Sequence, residues 1–159
     1  MKDTPAKKLL DYAVRLLARR NYHSVQLQKK LSQKGIGSEE EIEQTISKLR
    51  EYKYINDEAF IEYYIKDQLT LRPQGTRKVR TKLFEKGIHG DTVEKELAKY
   101  ESTELERAKK ALKKKEALLQ EESPFKRKEK LFRFLISRGF TISITREALT
   151  NFSSYSHDE

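Results

Sequence analysis

Residues 76–88 read TRKVRTKLFEKGI, and the same phrase stands 52 residues earlier as SVQLQKKLSQKGI (24–36) and 52 residues later as KEKLFRFLISRGF (128–140). Without a gap, Leu27, Val79 and Leu131 share one register position, and Leu31, Leu83 and Leu135 share the next. Lys34, Lys86 and Arg138 then coincide, followed by Gly35, Gly87 and Gly139, and by Ile36, Ile88 and Phe140. A fixed period of this size is the mark of a repeat architecture. A repeat of about 50 residues buries little core by itself and needs neighbours. We therefore expect one cooperative, elongated and curved body of three stacked repeats, spanning 5–52, 53–101 and 102–152, with a frayed polar tail at 153–159.

Each repeat reads as three helices. Leu10, Ala13, Val14 and Leu17 form an amphipathic stripe over 5–19, opened by Pro5 in the first turn. Ser24 is read as the cap of the second helix, and Gly35 as the residue whose left-handed backbone closes it. Ser38 before Glu39, Glu40 and Glu41 predicts a cap with an acidic first turn, and Ile42, Ile46 and Leu49 supply the buried stripe. In the second repeat Asn56 caps a helix carrying Phe60, Tyr63, Tyr64 and Ile65 to about Leu71, where Arg72-Pro73-Gln74-Gly75 breaks it. Helices over 76–86 and from Gly90-Asp91 follow, the latter with Val93 and Leu97 inward. The third repeat has a long helix through 103–120, another over 126–138, and a last one lined by Ile144, Ala148 and Leu149. The glutamates at 121–122 read as a short linker. No strand-like alternation is sustained, so the fold class is all-α with nine helices.

Composition agrees with this. Three prolines and six glycines are few, and Lys, Glu, Leu, Gln and Arg favour helix. Hydrophobic residues make up 36% and charged residues 37%, which suits a slim core under a charged surface. The lack of cysteine excludes disulfides and thiolate metal sites and suits a reducing cytosol, and no apolar run approaches a membrane span. The basic, amphipathic N-terminus has no signal-type apolar run, so a cytoplasmic protein is expected.

Catalysis finds few candidates. His23 and His89 fall at turns and His157 in the tail; each is read as a solvated turn histidine, without a second ligand at metal spacing. The glycines are scattered singly, so neither kind of phosphate-cradling loop is present. Neither enzymatic activity nor a cofactor is expected. The charge carries more. The formal net charge is +9, with 11 Lys/Arg against 7 Asp/Glu in 1–52, 10 against 10 in 53–104 and 13 against 8 in 105–159. Within the neutral middle repeat, residues 72–86 hold six cations (Arg72, Arg77, Lys78, Arg80, Lys82, Lys86) against Glu85 alone. Segregated sign creates a directed field, which points to a polyanionic partner. Lys29 and Lys30 in the first repeat and Lys128 and Arg133 in the third extend the candidate binding set. A further run, Arg107, Lys109, Lys110, Lys113, Lys114 and Lys115, has no acid within it and is left without a role. Of the fifteen aromatics, Tyr63, Tyr64, Phe132 and Phe134 could stack on bases, but their helical spacing is read as packing.

The run Tyr54-Ile55-Asn56-Asp57-Glu58-Ala59-Phe60 through Gly75-Thr76-Arg77-Lys78-Val79, Leu83 and Lys86-Gly87-Ile88 resembles the RecX regulators of bacterial RecA recombinase. So do Leu16-Leu17-Ala18-Arg19-Arg20, Tyr22-His23-Ser24 and Lys34-Gly35 before it, and Phe134-Leu135, Arg138-Gly139-Phe140 and Ala148-Leu149 after it. The resemblance spans about residues 6–150. It implies tandem three-helix repeats that lie in the groove of RecA filaments on DNA and bridge protomers. It also implies restraint of strand exchange, ATP hydrolysis and co-protease activity, a place in DNA repair, recombination and the SOS response, and weak DNA binding in some members. The chain departs from the family pattern at Asn56, where an acid is common, and at Ala59, where an arginine is common. Asparagine still caps a helix, so the fold expectation is unaffected, and no role of that arginine is carried over to this chain. The partners so implied are the RecA filament and its single-stranded DNA, met by a monomer. Two rivals stay open: a stand-alone basic helical DNA-binding module, and a helical scaffold for some other acidic protein.

Overall fold

The computed structural model describes residues 3–120 and 123–155, with side chains as far as Phe152. The pair at 121–122 read as a linker, and His157 with the rest of 156–159, lie outside the described residues. Among the described residues the chain is all-helical, without strands. Nine α-helices run in order: α1 Pro5–Arg19, α2 Ser24–Lys34, α3 Glu39–Glu51, α4 Asp57–Leu71, α5 Thr76–Glu85, α6 Asp91–Ala98, α7 Glu104–Leu118, α8 Pro124–Ser137 and α9 Ile142–Tyr155. A single 3-10 turn, Glu101–Thr103, precedes α7. The last helix reaches Tyr155, three residues into the stretch expected to fray.

The register positions of the repeat are where the core is. Leu27, Leu31, Val79, Leu83 and Leu135 are fully buried and Leu131 is 3% exposed. Burying side chains of this size stabilises by about 1.5–3 kcal/mol each. By contact the chain divides into two compact units: the described residues up to Tyr63 with Glu85–Ile88, and Tyr64–Phe84 with the described residues from His89 onward. The division cuts through α4 and α5 and again between Ile88 and His89, in the turn before α6. The first unit is cored by Leu9, Ala13, Leu27, Leu31, Ile42, Ile46, Leu49 and Ile55. In the second, α7 packs on α8 and α9 around Ala108, Leu112, Leu131, Leu135, Phe140 and Ala148.

Helix ends follow the sequence with one correction. Ser38 and Glu41 form a reciprocal box, Glu41 N–H donating to Ser38 Oγ at 3.2 Å and Ser38 N–H to Glu41 Oε1 at 3.1 Å. Asn56 Oδ1 accepts from Ala59 N–H at 3.0 Å. The second helix, however, is capped by His23 and not by Ser24: His23 Nδ1 accepts from Val25 N–H at 3.1 Å, and Gln26 Oε1 accepts from His23 N–H at 3.2 Å. Ser24 is the first helical residue, and its groups are already claimed. Its N–H donates to Asp57 Oδ1 at 2.7 Å and its hydroxyl donates to Asp57 Oδ2.

That claim recurs one period later. Thr76, 52 residues after Ser24, gives its N–H (3.1 Å) and its hydroxyl (3.3 Å) to Glu104 Oε1. Asp57 opens α4 and Glu104 opens α7. The acid that starts one repeat therefore satisfies the orphan donors at the start of the preceding repeat's second helix, where the helix dipole also favours it.

The repeated glycines have a matching second duty. Gly35, Gly87 and Gly139 all take left-handed φ, at 73°, 78° and 87°. A Cβ on Gly35 would meet nothing within 4 Å, on Gly87 it would meet Val25 Cγ1 at 3.0 Å, and on Gly139 it would sit 2.5 Å from the Lys78 Cβ and N. Val25 and Lys78 both stand in the first turn of a second helix, so the later glycines also let one repeat approach the one before it.

Candidate polyanion-binding site

The candidate site grows from the break after α4. Pro73 stops that helix, and the buried Gln74 beneath it gives its Nε2 to Gln68 O at 2.7 Å. Lys82, half-buried on α5, donates to Gln68 Oε1 at 2.9 Å and to Gln74 Oε1 at 3.2 Å. Arg107 fixes the break from behind. Its guanidinium donates to Gln74 O at 3.0 Å, Thr103 Oγ1 at 2.6 Å and Tyr100 O at 3.1 Å. Burial pulls the Arg107 pKa down and Glu104 beside it pushes back. The residue belongs to the scaffold rather than to the exposed basic run in which its neighbours stand.

Gly75 and Gly139 bring in a fourth cation. Gly75 N–H donates to Arg138 O at 2.8 Å, and a Cβ on Gly75 would lie 2.1 Å from Gly139 O. Only glycines permit that approach, and it carries Arg138, the C-terminal cap of α8, to the start of α5. Lys78 Nζ reaches across to Ser137 O at 3.3 Å. The result is Arg72, Lys78, Lys82 and Arg138 in one place. The pKa of Lys82 is lowered, by burial first and then by Lys78, Arg72 and Arg138 in that order, with no carboxylate among the causes. Lys78, Arg72 and Arg138 thus each raise the electrostatic cost of a charged Lys82. An anion bound among them would remove it.

The other expected residues fare differently. Arg80 is held in a two-point pair with Glu94, Nε to Oε1 at 2.8 Å and Nη2 to Oε2 at 3.0 Å. Arg133 is paired with Glu129 one turn back on α8. Arg77 and Lys128 are exposed in the second unit, and Lys29, Lys30 and Lys86 are exposed in the first. Arg138 was missed as a site residue, although the period had already aligned it with Lys34 and Lys86. Phe134, expected to pack, lies half-buried between Lys115 (5.3 Å) and Arg138 (5.2 Å) as a cation–π partner to both. Tyr63, also expected to pack, is 67% exposed.

His23 needs a further correction. It is buried at 8% exposure rather than solvated, edge-on to Phe60 at 5.8 Å, with Nε2 3.6 Å from Asp57 Oδ2. Its pKa is lowered by burial, against the pull of Asp57 and with the push of Arg50. His89 is exposed beside Phe84. Among the described residues no three His, Cys, Asp or Glu side chains gather as a metal site, and no helix is long and apolar enough to cross a membrane.

Residues 56–97 match the model of the RecX second three-helix domain, and residues 102–149 that of the RecX third three-helix domain. The regulatory protein RecX of Chlorobium phaeobacteroides (strain BS1) is 34% identical over 149 residues, covering 94% of this chain and 96% of that protein. The regulatory protein RecX of Chlorobaculum tepidum is 35% identical over 140 residues, covering 88% and 85%. In structure the chain is similar to the crystal structure of RecX from Lactobacillus salivarius, with a TM-score of 0.83 at 21% identity over 94% of this chain and 97% of that one. That likeness bears on the fold alone.

Proposed function

The chain belongs to the RecX family and is a regulatory protein of that type, and we propose that it binds the RecA–DNA filament and restrains RecA. The observation that carries this reading is the cluster of Arg72, Lys78, Lys82 and Arg138, four cations with no carboxylate among the causes of the lowered Lys82 pKa. A nucleoprotein filament offers what the cluster lacks, a line of phosphodiesters beside protein. In this proposal the cluster seats the DNA backbone, and the flanking cations Arg77 and Lys128 widen the field. Restraint follows from cross-linking neighbouring RecA protomers and slowing filament extension, so that ATP hydrolysis, strand exchange and co-protease activity fall together without chemistry on this chain. The protein acts as a monomer in the cytoplasm, where RecA works.

Binding to RecA filaments on labelled single-stranded DNA, followed against salt, tests the seat. Each phosphate neutralised on a single strand contributes about 0.7 to the slope of log affinity on log salt. Lys78→Gln with Lys82→Gln should weaken binding and lower that slope by about 1.4. An unchanged slope in a normally folded variant removes the seat. The same four charges also favour a stand-alone DNA-binding module, which predicts equally tight binding to the bare strand. A titration without RecA separates the two.

A further inference from the structure

Lys110, Lys113 and Lys114 of α7 take no part in the seat just described, yet they line a large cleft of the second unit. That cleft, of about 770 Å³, lies between the end of α4, the 3-10 turn and α7, within the size range of ligand-binding sites, ~300–1,000 Å³. Its floor is apolar, from Leu69, Leu71, Pro73 and Ala117, and its rim is Lys110, Lys113 and Lys114. Those three fall at i, i+3 and i+4 on one face of α7. Among the described residues none of them has an ion pair or hydrogen bond, whereas Lys109 pairs with Glu106 and Lys115 lies over Phe134. A second hollow of about 430 Å³ continues past Leu71 and Pro73 to Leu118 and Phe134. Leu71 is 74% exposed and Leu118 is 79% exposed, so two large aliphatic side chains stand in water beside three unpaired ammonium groups. From Arg107 to Leu118 the wall is about 16 Å long at 1.5 Å per residue, the length of three helical turns.

We propose that this groove holds an acidic amphipathic segment of a partner protein, about three helical turns long, with aliphatic side chains on the Leu69–Leu71–Ala117 floor and carboxylates on the lysine rim. This is helix-in-groove recognition; the larger cleft is lined by none of the four seat cations, while the second hollow reaches Arg72 and Arg138 at the edge of the seat. The floor decides against nucleic acid. Single strands are held by bases stacked on aromatic faces, and Tyr100 is the one aromatic side chain lining the larger cleft. Phosphates would use the lysines and leave the leucines in water, whereas a peptide with apolar anchors at i, i+3, i+4 and i+7 uses both. The wall is ready-made, since the three hydrogen bonds of Arg107 hold the break before α5 and the turn before α7 together.

The test is fluorescence anisotropy of the full chain with a labelled 15-residue peptide carrying leucines at i, i+3, i+4 and i+7 and glutamates elsewhere. Saturable binding is expected, weakened tenfold or more by K110E with K113E and, separately, by Leu71→Asp. The K78Q/K82Q variant should bind within about twofold of the parent. Leu71 and Lys113 are exposed, so these variants keep the helical signal, which circular dichroism checks. Three results overturn the proposal: no saturation; equal binding of a 15-residue polyglutamate, which would leave only charge; or displacement by an equimolar 15-nucleotide oligothymidylate, which would make the groove a nucleic-acid surface.

Discussion

Gly35 and Gly139 occupy the same position of the repeat, and substituting each by alanine separates two reasons for glycine. At both, alanine must adopt a left-handed backbone, at φ 73° and 87°, which costs about 1–2 kcal/mol. At Gly35 that is the whole effect, because the new Cβ meets nothing within 4 Å. At Gly139 the Cβ would stand 2.5 Å from the backbone and Cβ of Lys78. The contact cannot relax by turning a side chain, so α8 must back away from α5, an overpacking cost of about 1–3 kcal/mol. Alanine also restricts the unfolded chain, but by the same amount at both sites, so that part cancels in the comparison. Gly139→Ala should therefore be the more destabilising of the two by about 1–3 kcal/mol in urea unfolding followed by circular dichroism. It should also weaken the proposed restraint of RecA, since Arg138 moves with the displaced backbone, while Gly35→Ala should leave that restraint unchanged. Equal costs, within about 0.5 kcal/mol, would refute the close approach as the reason for the glycine.

Glu104→Ala removes the acceptor of the Thr76 N–H and hydroxyl in a buried setting, and loss of a cap with two stranded donors should cost about 2–4 kcal/mol in the same unfolding assay. Glu104→Gln, which keeps an acceptor oxygen, should recover part of that; no loss in either variant would show that the joint contributes nothing. His23 yields a pH effect. Its folded pKa lies below the ordinary 6.5, so the unfolded chain takes up the proton first and stability falls as pH drops below about 6.5. Burial is the cause, and protonation of Nδ1 would in addition remove the acceptor of Val25 N–H. His23→Asn keeps a cap and should flatten urea midpoints between pH 7 and 5.5; an unchanged slope would place the titration elsewhere.

The parts of the fold that could be read from the chain are those set by local rules. Burial of Leu27, Val79 and Leu131 follows from helical spacing, and the Ser38 box lies within four residues. What escaped was decided by partners far along the chain. Ser24 looked like the cap because nothing nearby showed that Asp57, 33 residues on, holds both of its donors. His23 looked solvated because Phe60 and Asp57, which bury it, are equally remote. The charge cluster was half legible. Arg72, Lys78 and Lys82 were visible as a run, but Arg138 joins them only through the Gly75–Gly139 backbone contact. Arg80 leaves the set through Glu94, 14 residues away. The Arg133–Glu129 pair, at i and i+4, could have been read from spacing.

The most direct test of the account is RecA-driven ATP hydrolysis on single-stranded DNA, with this protein added as wild type, as K78Q/K82Q/R138Q and as Arg80→Gln. Removing three of the four clustered cations should cut the proposed inhibition at least tenfold, while Arg80→Gln, whose charge is already engaged by Glu94 at the surface, should inhibit within about twofold of the wild type, as exposed pairs carry little. Full inhibition by the folded triple variant would contradict the assignment of the cluster as the filament-binding site.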